Sequence, residues 1–224
     1  MNYYFLESQY PRRGFISGGT TFIPQLDMNY VAVENPLPEG TTAEVELVSS
    51  VRNLNVDYFE TITGTRHVSD RFKKLLEETN TNAQFIPTTV CYHDGRTVEE
   101  TYWTVHQLDR LDVFDYERSE YGRKAVIAAS VQQPPRKIVK VVSRICLHEE
   151  RIGEHEFFML DYINIFKPMV SKDFYEVCQK HKLYLNVTEV GNVRGLLCVV
   201  IISDNVFIIY EKSMFIHIYS PETT

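Results

Sequence analysis

Val68-Ser69-Asp70-Arg71-Phe72-Lys73-Lys74-Leu75-Leu76-Glu77 and, 102 residues further on, Val170-Ser171-Lys172-Asp173-Phe174 are the stretches on which the fold reading turns. Ser69 is a good N-cap, since its hydroxyl can accept from a backbone N–H left unpaired at a helix start, and Asp70 suits the positive end of the helix dipole. Phe72, Leu75 and Leu76 stand at the i, i+3, i+4 spacing of one apolar helix face, and Phe174, Val177 and Cys178 repeat that spacing. A polar turn, Thr79-Asn80-Thr81-Asn82, and a strand over 83–89 follow the first helix; a polar turn and a strand over 183–187 follow the second. One helix-then-strand unit is thus predicted twice. The pattern admits an internal duplication with halves at about 1–122 and 123–190. The offset is too long for a solenoid, whose repeats run about 20–50 residues.

Working outward, the remaining periodic segments read as strands. Residues 2–6 open the chain, 43–47 alternate polar with apolar, 101–108 carry the single Trp, Trp103, and 156–160 are dense in aromatics. Residues 137–147 are strongly β-branched and are predicted to form one central strand. Pro87 lacks a donor for a ladder, which places its strand at an edge or a bulge. Pro11, Gly14, Gly18 and Gly19 mark one loop, and Asn35-Pro36-Leu37-Pro38-Glu39-Gly40 another. The sum is an α+β fold of strand-rich, mixed sheets with a few helices. Residues 1–190 form the main domain. In 191–224 the longest apolar stretch, 196–210, is broken by Ser203-Asp204-Asn205, so it reads as an apolar hairpin, part of the same domain or appended, and not as a membrane span of roughly 20 residues.

Composition narrows the function classes. A net charge of −7 disfavours binding to nucleic acid or anionic membrane, which needs clustered Lys and Arg, and is compatible with a basic protein partner. Cys91, Cys146, Cys178 and Cys198 never form C-x-x-C, so neither a zinc ribbon nor a thioredoxin-like motif is present. The first residues, Met1-Asn2-Tyr3-Tyr4-Phe5-Leu6-Glu7, lack the basic and apolar regions of a signal peptide; a reducing cytoplasm is the expected compartment.

Candidate sites are few. Gly14-Phe15-Ile16-Ser17-Gly18-Gly19-Thr20-Thr21 has the spacing of a phosphate loop, but Thr20 stands where the phosphate-binding Lys is needed and Arg12-Arg13 make no apolar strand before it, so a flexible surface loop is the reading. The run from His148 to Glu156 is rich in metal-ligating types. Its two histidines, His148 and His155, are seven residues apart with Gly153 between them, against the four-residue spacing of a zincin helix, and a solvated turn is expected. A metal-dependent hydrolase built on His148, Glu149 and His155 stays open as an alternative. So does a structural protein that self-associates through 191–224, and with it a homo-oligomer. Asp109, Asp112, Asp115, Glu117 and Glu120 interleave with Leu111, Val113, Phe114, Tyr116 and Tyr121. Nothing sets two of those carboxylates at a working separation for glycosidase chemistry. Acids beside aromatics also suit recognition of a basic protein, since aromatic anchors dominate interfaces; an ordinary acidic connection with its aromatics turned inward fits the same residues.

Taken together, Val68 to Glu77 with Gln84-Phe85-Ile86-Pro87, then Leu111-Asp112 with Tyr116-Glu117-Arg118-Ser119-Glu120-Tyr121, then Glu156-Phe157-Phe158-Met159-Leu160 with Ile165-Phe166 and Val170-Ser171, resemble the myxobacterial-type immunity family of bacterial polymorphic toxin systems. The likeness spans about residues 1–190. The resemblance implies a cytoplasmic, non-catalytic immunity protein, encoded beside a secreted toxin that type VI secretion can deliver. It would bind and block that toxin's catalytic domain, with no cofactor and no catalytic residues of its own. Asp112, Asp115, Tyr116, Glu117 and Glu120 are the expected contacts with a basic toxin such as a nuclease. Glu149, Glu150 and Glu154 form a second patch.

Overall fold

The computed structural model describes residues 3–8, 16–28, 30, 33, 35–106, 108–122, 124–127, 136–139, 141–163, 165–190, 196–197, 200–202 and 206–208. Pro11 to Phe15, Cys198, the Ser203-Asp204-Asn205 break and His217 lie outside them. The first part of the chain contributes β1 (Tyr3–Glu7), β2 (Ser17–Ile23), β3 (Thr42–Leu47), β4 (Tyr58–Glu60), β5 (Arg66–Ser69), α1 (Asp70–Glu77), β6 (Gln84–Cys91) and β7 (Tyr102–His106). Shorter strands follow: β8 (Arg110–Leu111), β9 (Glu120–Tyr121), β10 (Lys124–Ile127), β11 (Arg136–Val139) and β12 (Val141–Arg144). Then come β13 (Phe157–Leu160), β14 (Met169–Ser171), α2 (Lys172–Lys180), β15 (Asn186–Glu189), β16 (Leu196–Leu197), β17 (Val200–Ile202) and β18 (Val206–Ile208). The fold is α+β, with mixed sheets and two described α-helices.

Two larger sheets carry the molecule. The first has the order β2-β3-β6-β7-β5-β4, the second β15-β1-β14-β13-β8. Each contains the same unit. In the first, β4 and β5 form an antiparallel hairpin, α1 follows, and β6 returns with β7 between it and β5. In the second, β13 and β14 pair antiparallel, α2 follows, and β15 returns with β1 between it and β14. The registers agree: Tyr58 faces Val68 as Phe157 faces Val170, and Ser69 faces Tyr102 as Ser171 faces Tyr3. The middle strand differs in origin. β7 follows β6 in the chain, whereas β1 comes from the N-terminal end, and β8 also joins the second sheet, parallel to β13.

Both caps form. Ser69 Oγ accepts from the Phe72 N–H (3.3 Å) and Ser171 Oγ from the Phe174 N–H (3.0 Å). The two helices lie in a shared apolar layer that takes alternate residues from both sheets: Tyr58, Val68 and Val105 from the first, Leu6, Phe157 and Met159 from the second. Phe72 and Phe174 stack in it with centroids 6.2 Å apart. The opposite faces belong to other cores, Phe59 and Tyr102 to one, Phe5, Phe158 and Leu160 to the other. β13 is therefore buried at all four positions, and so shows an unbroken apolar run instead of alternation.

Several expectations are corrected. Gly18 and Gly19 are in β2 and not in a flexible loop. A Cβ at Gly19 would stand 3.3 Å from Thr63 Cγ2, a tight approach of this strand to the β4–β5 turn. Beyond it, the Thr20 N–H donates to Thr63 Oγ1 (3.2 Å), and the Thr20 hydroxyl lies 2.5 Å from Thr65 Oγ1 and 3.2 Å from His67 Nε2. The first sheet thus curls until its outer strand meets the β4–β5 turn through side chains. Pro87 is in β6, an interior strand, not an edge; the ladder with β3 begins only at Thr88, so on that side a missing N–H interrupts nothing. Residues 137–147 form two strands, β11 and β12, in different small sheets. The strand expected over 183–187 starts later, at Asn186, because the Leu183 and Tyr184 N–H groups bond to Cys178 and Asp57. β17 and β18 pair antiparallel.

Candidate functional site

The two acidic segments named from sequence are neighbours in space. Asp115 N–H donates to the Cys146 carbonyl (3.0 Å), His148 N–H to the Val113 carbonyl (2.8 Å), and Phe114 bridges Leu147. Asp115 is the residue that builds the connection. Its carboxylate accepts from the Glu117 and Arg118 N–H groups (2.9 Å each) and from the Arg118 guanidinium, which also reaches the Leu147 carbonyl (2.9 Å). Those bonds, the Arg118 N–H first, hold its pKa down at about 2. Asp115 is buried, and it shapes the surface from beneath.

Tyr116 is half-buried and turns inward. Its ring meets Phe114 at 5.0 Å and Tyr121 at 6.0 Å, edge-on in both cases. Asp112, Glu117 and Glu120 are exposed, as are Glu149, Glu150 and Glu154. Glu149 and Glu150 begin a short 3-10 turn, Glu149–Arg151, and Glu154 comes after it, beyond Gly153 at φ +63°, a conformation that favours glycine. His148 links the segments, with Nδ1 3.0 Å from Glu150 and Nε2 3.8 Å from Asp115. Residues 109–122 and 144–156 together carry nine carboxylates against four arginines, a net −5 of the chain's −7.

The histidines expected to compete as metal ligands go separate ways. His155 Nδ1 faces Asp109 at 3.6 Å, while His148 faces Asp115 and Glu150. Among the described residues, no group of three or more His, Cys, Asp or Glu is arranged to hold a metal ion. No described helix is long and apolar enough to cross a membrane.

Two polar constellations escaped the sequence reading. Asp57, buried just before β4, accepts from Ser69 Oγ (2.5 Å), Arg71 Nε (2.6 Å), Arg71 Nη2 (2.8 Å) and the Tyr184 N–H (2.6 Å). It locks the α1 cap to the chain beyond α2. His67, fully buried against the Phe59 ring, sits among the hydroxyls of Thr20, Thr65 and Thr104. Burial lowers its pKa to about 3, so it is neutral at pH 7. The signal for Asp57 was an acid ahead of an apolar strand that itself leads to a capped helix carrying Arg71. It becomes legible only once β4 and β5 are paired.

The model of the immunity protein family Imm11 matches residues 27–190. The chain belongs to the Imm11 immunity protein family. No curated protein matches it. The Imm11 match runs from before β3 to the end of β15, so it contains both acidic segments and both helices, with β1 and β2 lying before it. It ends at residue 190, where the sequence resemblance also ends, and it begins later than that resemblance does.

Proposed function

We propose that this Imm11 protein acts in the cytoplasm by binding a cognate toxin domain and covering its active site, with no chemistry of its own. The single observation that carries this reading is the joining of the acidic segments. Asp112, Glu117 and Glu120 stand on the segment that Asp115, Arg118 and His148 link to the one carrying Glu149 and Glu150. Glu154 extends the patch. A continuous acidic surface speeds encounter with a basic partner and steers its approach. The groove of a nuclease, built to hold phosphates, is a natural target of that sign. Delivery of the toxin by type VI secretion is consistent with this role. A stable complex of this kind buries about 1,200–2,000 Å² in total, more than this patch alone, so apolar contacts beside it take part.

The test is co-expression with the toxin domain encoded next to this chain. Growth should be rescued and the two proteins should co-purify. Replacing Asp112, Glu117 and Glu120 together by Lys should slow association and remove most of its sensitivity to salt. Asp115 is left intact in that variant, because its loss would disturb the loop and confuse contact with support. An association rate unaffected by the triple change would remove the patch from the account.

A further inference from the structure

The repeated unit offers an internal comparison that points to a second contact surface. Before β4 stands Asp57, whose carbonyl accepts the Ser69 N–H (3.0 Å); before β13 stands Glu156, whose carbonyl accepts the Ser171 N–H (2.9 Å). Two residues past each cap serine come Arg71 on α1 and Asp173 on α2. In the first unit the pair is complementary, and Arg71 grips the Asp57 carboxylate with two nitrogens. In the second unit both members are carboxylates. Neither Glu156 nor Asp173 has a side-chain hydrogen bond or ion pair among the described residues, and the same holds for Glu149 nearby.

The apolar position of the helix follows the same division. Leu75 of α1 is 6% exposed, whereas Val177, its counterpart on α2, is 37% exposed. At the start of α1 the chain beyond α2 makes contact: Tyr184 bonds Asp57 through its N–H, and its ring lies 5.9 Å from the Arg71 guanidinium. The outer side of α2 has the same backbone, an exposed apolar residue and an uncompensated pair of acids.

We propose that this face of α2, from Asp173 to Val177 with Glu156 beside it, docks a basic segment of the cognate toxin, one arginine of which takes the place that Arg71 holds on α1. The proposal rests on the immunity reading for the identity of the partner. Charge complementarity selects an arginine, because its fork can meet two carboxylates at once where an ammonium makes one point contact. The face also lies near the acidic segments through β1, which pairs with β14. Tyr3, whose strand pairs with Ser171, feels both Glu149 and Asp173, and its pKa is raised by burial and by those two charges. Burial and Asp173 likewise push Glu156 above the ordinary carboxylate range, as expected where a cation is missing.

The experiment is a calorimetric titration of the full chain with an inactivated form of the toxin domain encoded beside it. Wild type is compared with the isosteric double variant Glu156→Gln, Asp173→Asn, and the melting temperature of each free protein is recorded. The double variant is expected to lose affinity by about fivefold or more, with a shallower salt dependence. Its melting temperature should hold or rise, since like-charge repulsion is relieved. Binding within about fivefold of wild type would overturn the α2 face and leave the immunity reading standing. A lower melting temperature would also overturn it, because a cation from this chain's own segments would then already fill the place. Failure of wild type to bind the toxin at all would sink the immunity reading itself, together with this face.

Discussion

The two strand–helix–strand units share order, direction and register, yet they differ in what their equivalent side chains do. In the first, Asp57 and Arg71 close on each other and on Tyr184, and the unit is stitched to the rest of the molecule. In the second, partly buried Glu156 and exposed Asp173 have no side-chain hydrogen bond or ion pair among the described residues, and Val177 is 37% exposed. One backbone plan can thus carry a closed ion pair in one unit and two carboxylates in the other, which is why the second is the one proposed to meet a partner.

The largest expected effects test what the units share. Phe72→Ala and Phe174→Ala should each cost about 3–5 kcal/mol, since both rings are buried in the single layer between the sheets. Chemical denaturation of the two variants measures this. A large loss for one and a negligible loss for the other would break the claim that the helices are equivalent in packing.

Next come effects that should separate the units. Asp57→Ala should destabilise by about 3 kcal/mol, because it strands the Ser69 hydroxyl, the Tyr184 N–H and the Arg71 guanidinium. Glu156→Gln, at the equivalent position, should leave the melting temperature unchanged or slightly higher. Opposite signs at matched positions are the sharpest form of the comparison, and two losses of similar size would contradict it.

Acid should also tell the sheets apart. His67 in β5 is matched in β14 by Met169, which does not titrate. With a folded pKa of about 3 against about 6.5 unfolded, the unfolded chain takes up the proton first. Stability from neutral His67 is therefore complete above about pH 6.5 and falls as pH drops toward 3, by at most about 1.4 kcal/mol per pH unit. Hydrogen exchange between pH 7 and 4 should show β5 and β7 losing protection before β14 and β1. His67→Met should reduce that difference. The smallest effect expected is at Asp115, whose depressed pKa means that its support is present above about pH 4 and is lost only as pH falls toward 2. Asp115→Asn should lower the melting temperature at pH 7 and have little effect near pH 2.

Much of this was legible in the sequence, and the reasons for the rest are physical. Capped, amphipathic helices announce themselves locally, and both were placed by Ser69 and Ser171. Strand periodicity shows which face is apolar, not which strand lies alongside. Hence β1 gave no sign that it would become the middle strand of the C-terminal unit, and Pro87 pointed to an edge when its strand is interior. The acidic residues were readable as two patches, but only the bonds of Asp115 and Arg118 make them one surface. Glu156 and Asp173 carried no signal by themselves. Their meaning comes from Asp57 and Arg71, with which they share a position in the fold.

The most direct test of the whole account is a titration of the active toxin domain with this purified chain, reading the toxin's remaining activity. A protein that works by covering an active site should abolish activity at one equivalent and give it back when the complex is dissociated by salt or dilution. Full toxin activity in the presence of excess chain, or lasting inactivation by a small fraction of an equivalent, would contradict it.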